Sequence, residues 1–244
     1  MVLKIKNLTR IFNNQNGVRD VSFELQEGEI VGLLGKSGSG KSTILRTIAG
    51  LDTGYTGEIE IAGECIDGPH EEIGVVFQEA RLMPWLTVIE NVQFGLKGDK
   101  EANEKLARYY LRQVGLADAA ELYVKQLSGG MAQRVAIARA LAANPGLLLM
   151  DEPFSALDAF TKMQLQDLVL DIWQEQKLSA VIVTHDIDEA LYLCDRIILL
   201  AGKPGEVDKE ILLDEPRPRH RGSETLARKK TEILGSLKIE AVRV

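Results

Sequence analysis

The chain has 244 residues, 45% of them hydrophobic, and a formal net charge of -7. That length and apolar content suit one packed domain with room for an inserted subdomain, and the acidic balance argues against a main partner such as a nucleic-acid backbone, which is gripped by clustered Lys and Arg. Two distant cysteines, Cys65 and Cys194, signal neither a zinc site nor a disulfide framework, and no apolar run approaches the ~18 residues of a membrane span, so any membrane role is expected to be peripheral or through a partner.

The first third reads as strands. Residues 4–8, 21–25 and 58–61 alternate apolar and polar side chains, the pattern of a half-buried antiparallel sheet. Residues 30–34, 74–77, 147–150, 180–183 and 197–200 are instead continuous apolar runs, as parallel strands covered on both faces require. The stretch 43–49 reads as a helix. Between 88 and 143 strand signals vanish and helical spacing takes over, which predicts an inserted helical subdomain. Leu165, Leu168, Val169, Ile172 and Trp173 then form one apolar helical stripe, expected to cover the sheet. After about Gly202 the pattern weakens. Arg217-Pro218-Arg219-His220-Arg221 and Arg228-Lys229-Lys230 read as a solvated basic tail, with contact to anionic lipid or a partner as the alternative. The predicted architecture is α/β: a core over 1–87 and 144–205 carrying an N-terminal antiparallel β subdomain, a helical subdomain over 88–143, and a C-terminal extension over 206–244.

Three segments carry chemistry. Gly35-Lys36-Ser37-Gly38-Ser39-Gly40-Lys41-Ser42-Thr43 follows a buried strand and opens a helix, the setting of a phosphate-binding loop. Its glycines let backbone N–H groups converge on phosphates, and the helix N-terminus adds partial positive charge. Lys41 is expected to reach the β- and γ-phosphates of ATP and Ser42 to ligate Mg²⁺. The apolar strand 147–150 ends in Asp151, suited to holding Mg²⁺ through its water shell, and Glu152, placed to polarise an attacking water as general base. Leu127-Ser128-Gly129-Gly130-Met131-Ala132-Gln133 opens another helix, and such an edge is an anion site. Two phosphate-gripping devices in one chain suggest that each ATP is shared between two subunits of a dimer.

With these motifs in this order the chain resembles the nucleotide-binding subunits of ATP-binding cassette (ABC) transporters over nearly its whole length. The resemblance implies a P-loop NTPase (RecA-like) core. It implies that Leu127 to Gln133, with Ser128, Gly129, Gly130 and Gln133, is the signature that meets the γ-phosphate across an ATP-sandwich homodimer. It further implies that Gln78 is the lid glutamine joining the Mg²⁺ site to the helical subdomain. Ser155-Ala156-Leu157-Asp158 would be the D-loop, His185 the switch histidine, and Phe12 the ring stacked on adenine, where the family more often has tyrosine. Trp85, in the apolar loop 81–87, is either ordinary packing or part of the groove for a membrane partner. The segment 82–91 and the sequence Pro216-Arg217-Pro218-Arg219 are similar to ATPases of the nitrate, sulfonate and taurine importers. That narrower likeness implies permease subunits in the membrane, a solute-binding protein in the complete importer, and a place on the cytoplasmic face of the membrane. A soluble ABC-type ATPase of DNA repair or translation is the competing reading. A P-loop small-molecule kinase would leave the signature segment unexplained.

Overall fold

The structure is a computed structural model that describes residues 1–12, 16–155 and 157–237. The alternating segments form an antiparallel sheet of β1 (Leu3–Phe12), β2 (Asn16–Leu25), β4 (Thr56–Ile61) and β5 (Glu64–Cys65), in the order β2-β1-β4-β5. A second sheet holds β3 (Ile30–Gly35), β6 (Ile73–Val76), β7 (Leu147–Asp151), β8 (Ser179–Thr184), β9 (Arg196–Ala201) and β10 (Glu206–Leu212), in the order β10-β9-β3-β8-β7-β6. The strands from β9 to β6 are parallel, and β10 pairs antiparallel with β9.

The continuous apolar runs serve two cores at once. In β7, Leu147 and Leu149 join one cluster with Ile44, Leu45 and Ile48 of α1 (Lys41–Ile48) and the inner face of the antiparallel sheet. Leu148 and Met150 join the other, beneath the remaining helices. Successive strand side chains point to opposite faces, so a strand buried on both sides must be apolar at every position. Each such Leu or Ile contributes about 1.5–3 kcal/mol.

The segment between β6 and β7 holds α2 (Val88–Gln93), α3 (Lys100–Gln113), 3-10 turns at Ala117–Ala119 and Val124–Gln126, and α4 (Gly129–Ala142). Thr87 caps α2 by accepting from the Glu90 amide while the Glu90 carboxylate accepts from the Thr87 amide. The stripe 165–173 lies on α5 (Ala159–Gln176), where Leu165, Val169 and Ile172 are buried. After β8 come α6 (Ile187–Leu193) and, past β10, α7 (Glu224–Ser236).

The basic segment 217–221 is not a solvated tail. The Arg217 guanidinium lies 3.6 Å over the Trp173 ring, pairs with Asp195 and donates to Leu193 O. Arg219 is 4% exposed and donates to the carbonyls of Leu191, Tyr192, Cys194, Leu213 and Glu215. Together the two arginines cap all four carbonyls at the C-terminal end of α6, groups left without partners inside the helix. Arg221 stacks on Tyr192 and pairs with Asp167. Charge was legible in the sequence, but its inward direction depends on acceptors that only folding assembles.

Candidate active site

The parallel sheet gathers the chemistry at the C-terminal ends of its strands. The loop leaving β3 turns into α1 through Gly38 and Gly40, at φ 82° and 84°. A Cβ on Gly40 would stand 2.6 Å from Gly17 O, so the loop closes only with glycine there. No side chain caps the start of α1, which leaves its first amides directed into the loop. Lys41 is 6% exposed, and its ammonium donates to the carbonyls of Gly35 and Lys36 at 2.8 and 3.2 Å. Burial lowers its pKa, against the opposing pull of Glu152 and Asp151.

Ser42 Oγ donates to Asp151 Oδ1 at 3.0 Å. The Asp151 carboxyl is pushed up by burial, an effect the Ser42 hydrogen bond opposes and the neighbouring Glu152 charge reinforces. A hydroxyl and a carboxylate at this separation offer the hard oxygens that Mg²⁺ prefers, in the small number it uses when substrate phosphates complete its shell.

Glu152, one residue past the strand, is at the centre of a polar cluster. His185 Nδ1 lies 3.1 Å from its Oε1, Gln78 Nε2 reaches its Oε2 at 3.5 Å, and Gln78 also donates to Ser155 Oγ at 3.3 Å. Glu152 adopts φ 45°, a left-handed conformation costing a non-glycine residue about 1 kcal/mol or more. Its amide donates to Val183 O and its carbonyl accepts from Ser155 Oγ, so both sides of the strained residue are tied down. The elements carrying Gln78, Glu152 and His185 thus converge beside the loop.

A groove of about 250 Å³ runs past these groups, lined by Phe12, Gly17, Ser37, Gly38, Gly40, Lys41, Ser42, Thr43 and Glu152. A wider cavity of about 560 Å³ lies between α5, α6 and α7, but this groove holds the convergent chemistry. Phe12 ends β1 at 36% exposure, with the Arg10 guanidinium 4.1 Å over its ring. Arg10 was missed in the sequence. It lies two residues before Phe12 and therefore on the same face of the strand, a signal period-2 reasoning could have used.

The signature residues divide. Ser128 and Gly129 are exposed at the start of α4, Gly130 is half-buried beside them, and Ser128 Oγ caps the helix by accepting from the Met131 amide. The Gln133 side chain corrects the expectation of a nucleotide contact. It is 4% exposed and donates through Nε2 to Phe77 O, because one helical turn beyond Gly130 the α4 surface already faces the core. Asp158 caps α5, its Oδ1 accepting from the amides of Phe160 and Thr161. Its pKa is lowered, first by the hydrogen bond with the Thr161 side chain. Ala156 lies outside the described residues. Trp85 is 70% exposed on a loop pinned from beneath: buried Asn91 accepts from the Met83 amide and donates to Met83 O, and Arg139 donates to the carbonyls of Ala80 and Arg81.

Residues 18–155 match the family model described as ABC transporter. An aliphatic sulfonates import ATP-binding protein of Burkholderia lata is 47% identical over 93% of this chain and 82% of its own length. One from Bacillus thuringiensis is 44% identical over 96% of this chain and 95% of its own. Among solved structures, the dimeric ATP-binding cassette MJ0796 bound to ADP and Pi is 35% identical with a TM-score of 0.76, matching 88% of this chain and 100% of that one. The phosphate loop, the acids ending β7 and these likenesses converge: the chain belongs to the ABC transporter family, as one of its ATPase cassettes.

Proposed function

We propose that the cassette hydrolyses Mg-ATP as half of a symmetric dimer and thereby drives import of an aliphatic-sulfonate-type anion through membrane permease subunits. The observation that carries the hydrolytic part is the cluster on Glu152. A carboxylate held by His185 and Gln78 beside the phosphate loop is suited to take a proton from water attacking the γ-phosphate. His185 then positions that phosphate and Gln78 links it to the helical subdomain. Ser42 and Asp151 would hold Mg²⁺, which supplies charge neutralisation on the phosphate oxygens. Phe12 would stack on adenine, with Gly35, Ser37, Gly38, Gly40 and Thr43 around the phosphates.

Ser128, Gly129 and Gly130, exposed or half-buried at a helix N-terminus, suit the γ-phosphate of an ATP bound to a second copy, with Asp158 nearby at that junction. Dimer formation is supported by the dimeric relative, and the sulfonate class by the import proteins named above. A related cassette, cbiO1 of Clostridium perfringens, is part of a transporter complex; it is 26% identical with a TM-score of 0.79, over 95% of this chain and 94% of its own. Exposed Trp85 is the natural contact for the permease, on the cytoplasmic face of the membrane, with a solute-binding protein completing the importer.

The test is recovery of tagged Glu152→Gln chain from gently solubilised native membranes in ATP, after phosphate release by the variant has been shown to fall at least a hundredfold. A multi-spanning permease among the bound proteins is the expected result. Ribosomal or DNA-repair proteins without any membrane protein would overturn the transport reading, and undiminished phosphate release would overturn Glu152 as base.

A further inference from the structure

The turn Gly202-Lys203-Pro204-Gly205 between β9 and β10 touches the phosphate loop from outside. Its position is fixed by main-chain contacts. The Gly205 amide donates to Gly17 O, the Arg19 amide donates to Gly205 O, and a Cβ on Gly205 would fall 1.9 Å from Ser39 O, so only glycine lets the turn press this close. This mounting brings Lys203 over Gly38. A methyl placed on Gly38 would meet both Cε and Nζ of Lys203 at 3.0 Å.

The hairpin's glutamates do not claim this ammonium, since Glu206 is paired with Arg19 and Glu210 with Arg196. The Lys203 ammonium therefore stands beside Gly38, at the middle of the loop. Lys41 is buried and reaches the loop carbonyls from within, whereas Lys203 is exposed and approaches from the rim.

We infer that Lys203 is a second phosphate-binding cation of the ATP site, acting on the polyphosphate through its charge. The inference rests on the nucleotide reading of the loop proposed above. A compact ammonium acts as a point charge without the fixed fork of arginine. Its effect should therefore follow the number of phosphates and the ionic strength. One partly exposed charge acting over several ångströms on a polyphosphate corresponds to about a tenfold change in affinity, or about 1.4 kcal/mol.

The experiment is equilibrium binding of ATP, ADP and AMP to the full chain with Lys203→Met, Lys203→Arg and Lys41→Ala, at low and high salt. The expected result for Lys203→Met is about tenfold weaker ATP binding, about threefold weaker ADP binding and unchanged AMP binding. The ATP loss should shrink at high salt, Lys203→Arg should stay within about twofold of the parent, and the thermal midpoint should not move. Equal losses for all three nucleotides, or unchanged ATP affinity in Lys203→Met while Lys41→Ala is crippled, would overturn the role of Lys203 alone. Full ATP affinity in Lys41→Ala would overturn the nucleotide reading itself.

Discussion

Arg219→Met tests whether the basic segment is a structural clasp. The substitution keeps an unbranched apolar stem and removes every donor, stranding five carbonyls: Leu191, Tyr192 and Cys194 at the end of α6, and Leu213 and Glu215 beyond β10. At about 1 kcal/mol for each stranded carbonyl the loss approaches ~5 kcal/mol. Relief from burying a guanidinium, whose pKa that burial lowers, offsets part of it and leaves about 3–4 kcal/mol. In a chain of this size each kcal/mol moves the melting temperature by about 2–4 °C, so a fall of roughly 6–16 °C is expected. Circular dichroism melts and urea midpoints measure it directly. Arg219→Lys, with three donors in place of five, should lie between parent and Met. A fall below about 2 °C for the Met variant would refute the clasp and return the segment to the solvated tail expected from composition.

Mixing Lys41→Ala chains with Ser128→Arg chains, each inactive alone, should restore part of the ATPase activity by assembling one intact composite site. Absence of recovery in chains shown to fold and exchange would defeat the shared site. Glu189 gives a pH signature. It is 3% exposed and burial raises its pKa despite Lys162 at 3.2 Å. A folded carboxyl that keeps its proton to higher pH than the unfolded one contributes no change below the ordinary carboxylate range. It then lowers stability as pH rises from that range through its raised folded value. Glu189→Gln removes this decline, so the melting-temperature gap between variant and parent should widen from about pH 4.5 to pH 7. Parallel curves would contradict the assignment.

What the sequence disclosed follows from how local each signal is. Strands β3, β7 and β8 were readable because burial on both faces forces unbroken apolar runs, and the phosphate loop because glycine spacing is itself the geometry. Strand β10 was lost because most of its side chains are exposed, which leaves no pattern to read. Arg217, Arg219 and Gln133 were misplaced for a shared reason. Arg219 and Gln133 bond to main-chain carbonyls, which every residue carries, and Arg217 to one carbonyl besides Asp195 and the Trp173 ring, most of them distant in sequence, so composition cannot announce them. The left-handed turn at Glu152 was equally hidden, being imposed by Val183 O on one side and Ser155 on the other.

The tie between Gln133 and Phe77 recurs further along α4, where Arg139 holds the carbonyls of Ala80 and Arg81 while the Arg81 guanidinium lies 4.0 Å over the Phe77 ring. The helix from Gln133 to Arg139, six steps and about 9 Å, is thereby riveted to the stretch on either side of Gln78. The two can pivot together but cannot slide. A displacement of the stretch that holds Phe77, Ala80 and Arg81 would therefore be carried along α4 toward Ser128, with α4 as the beam and the strand end of β6 as the fulcrum.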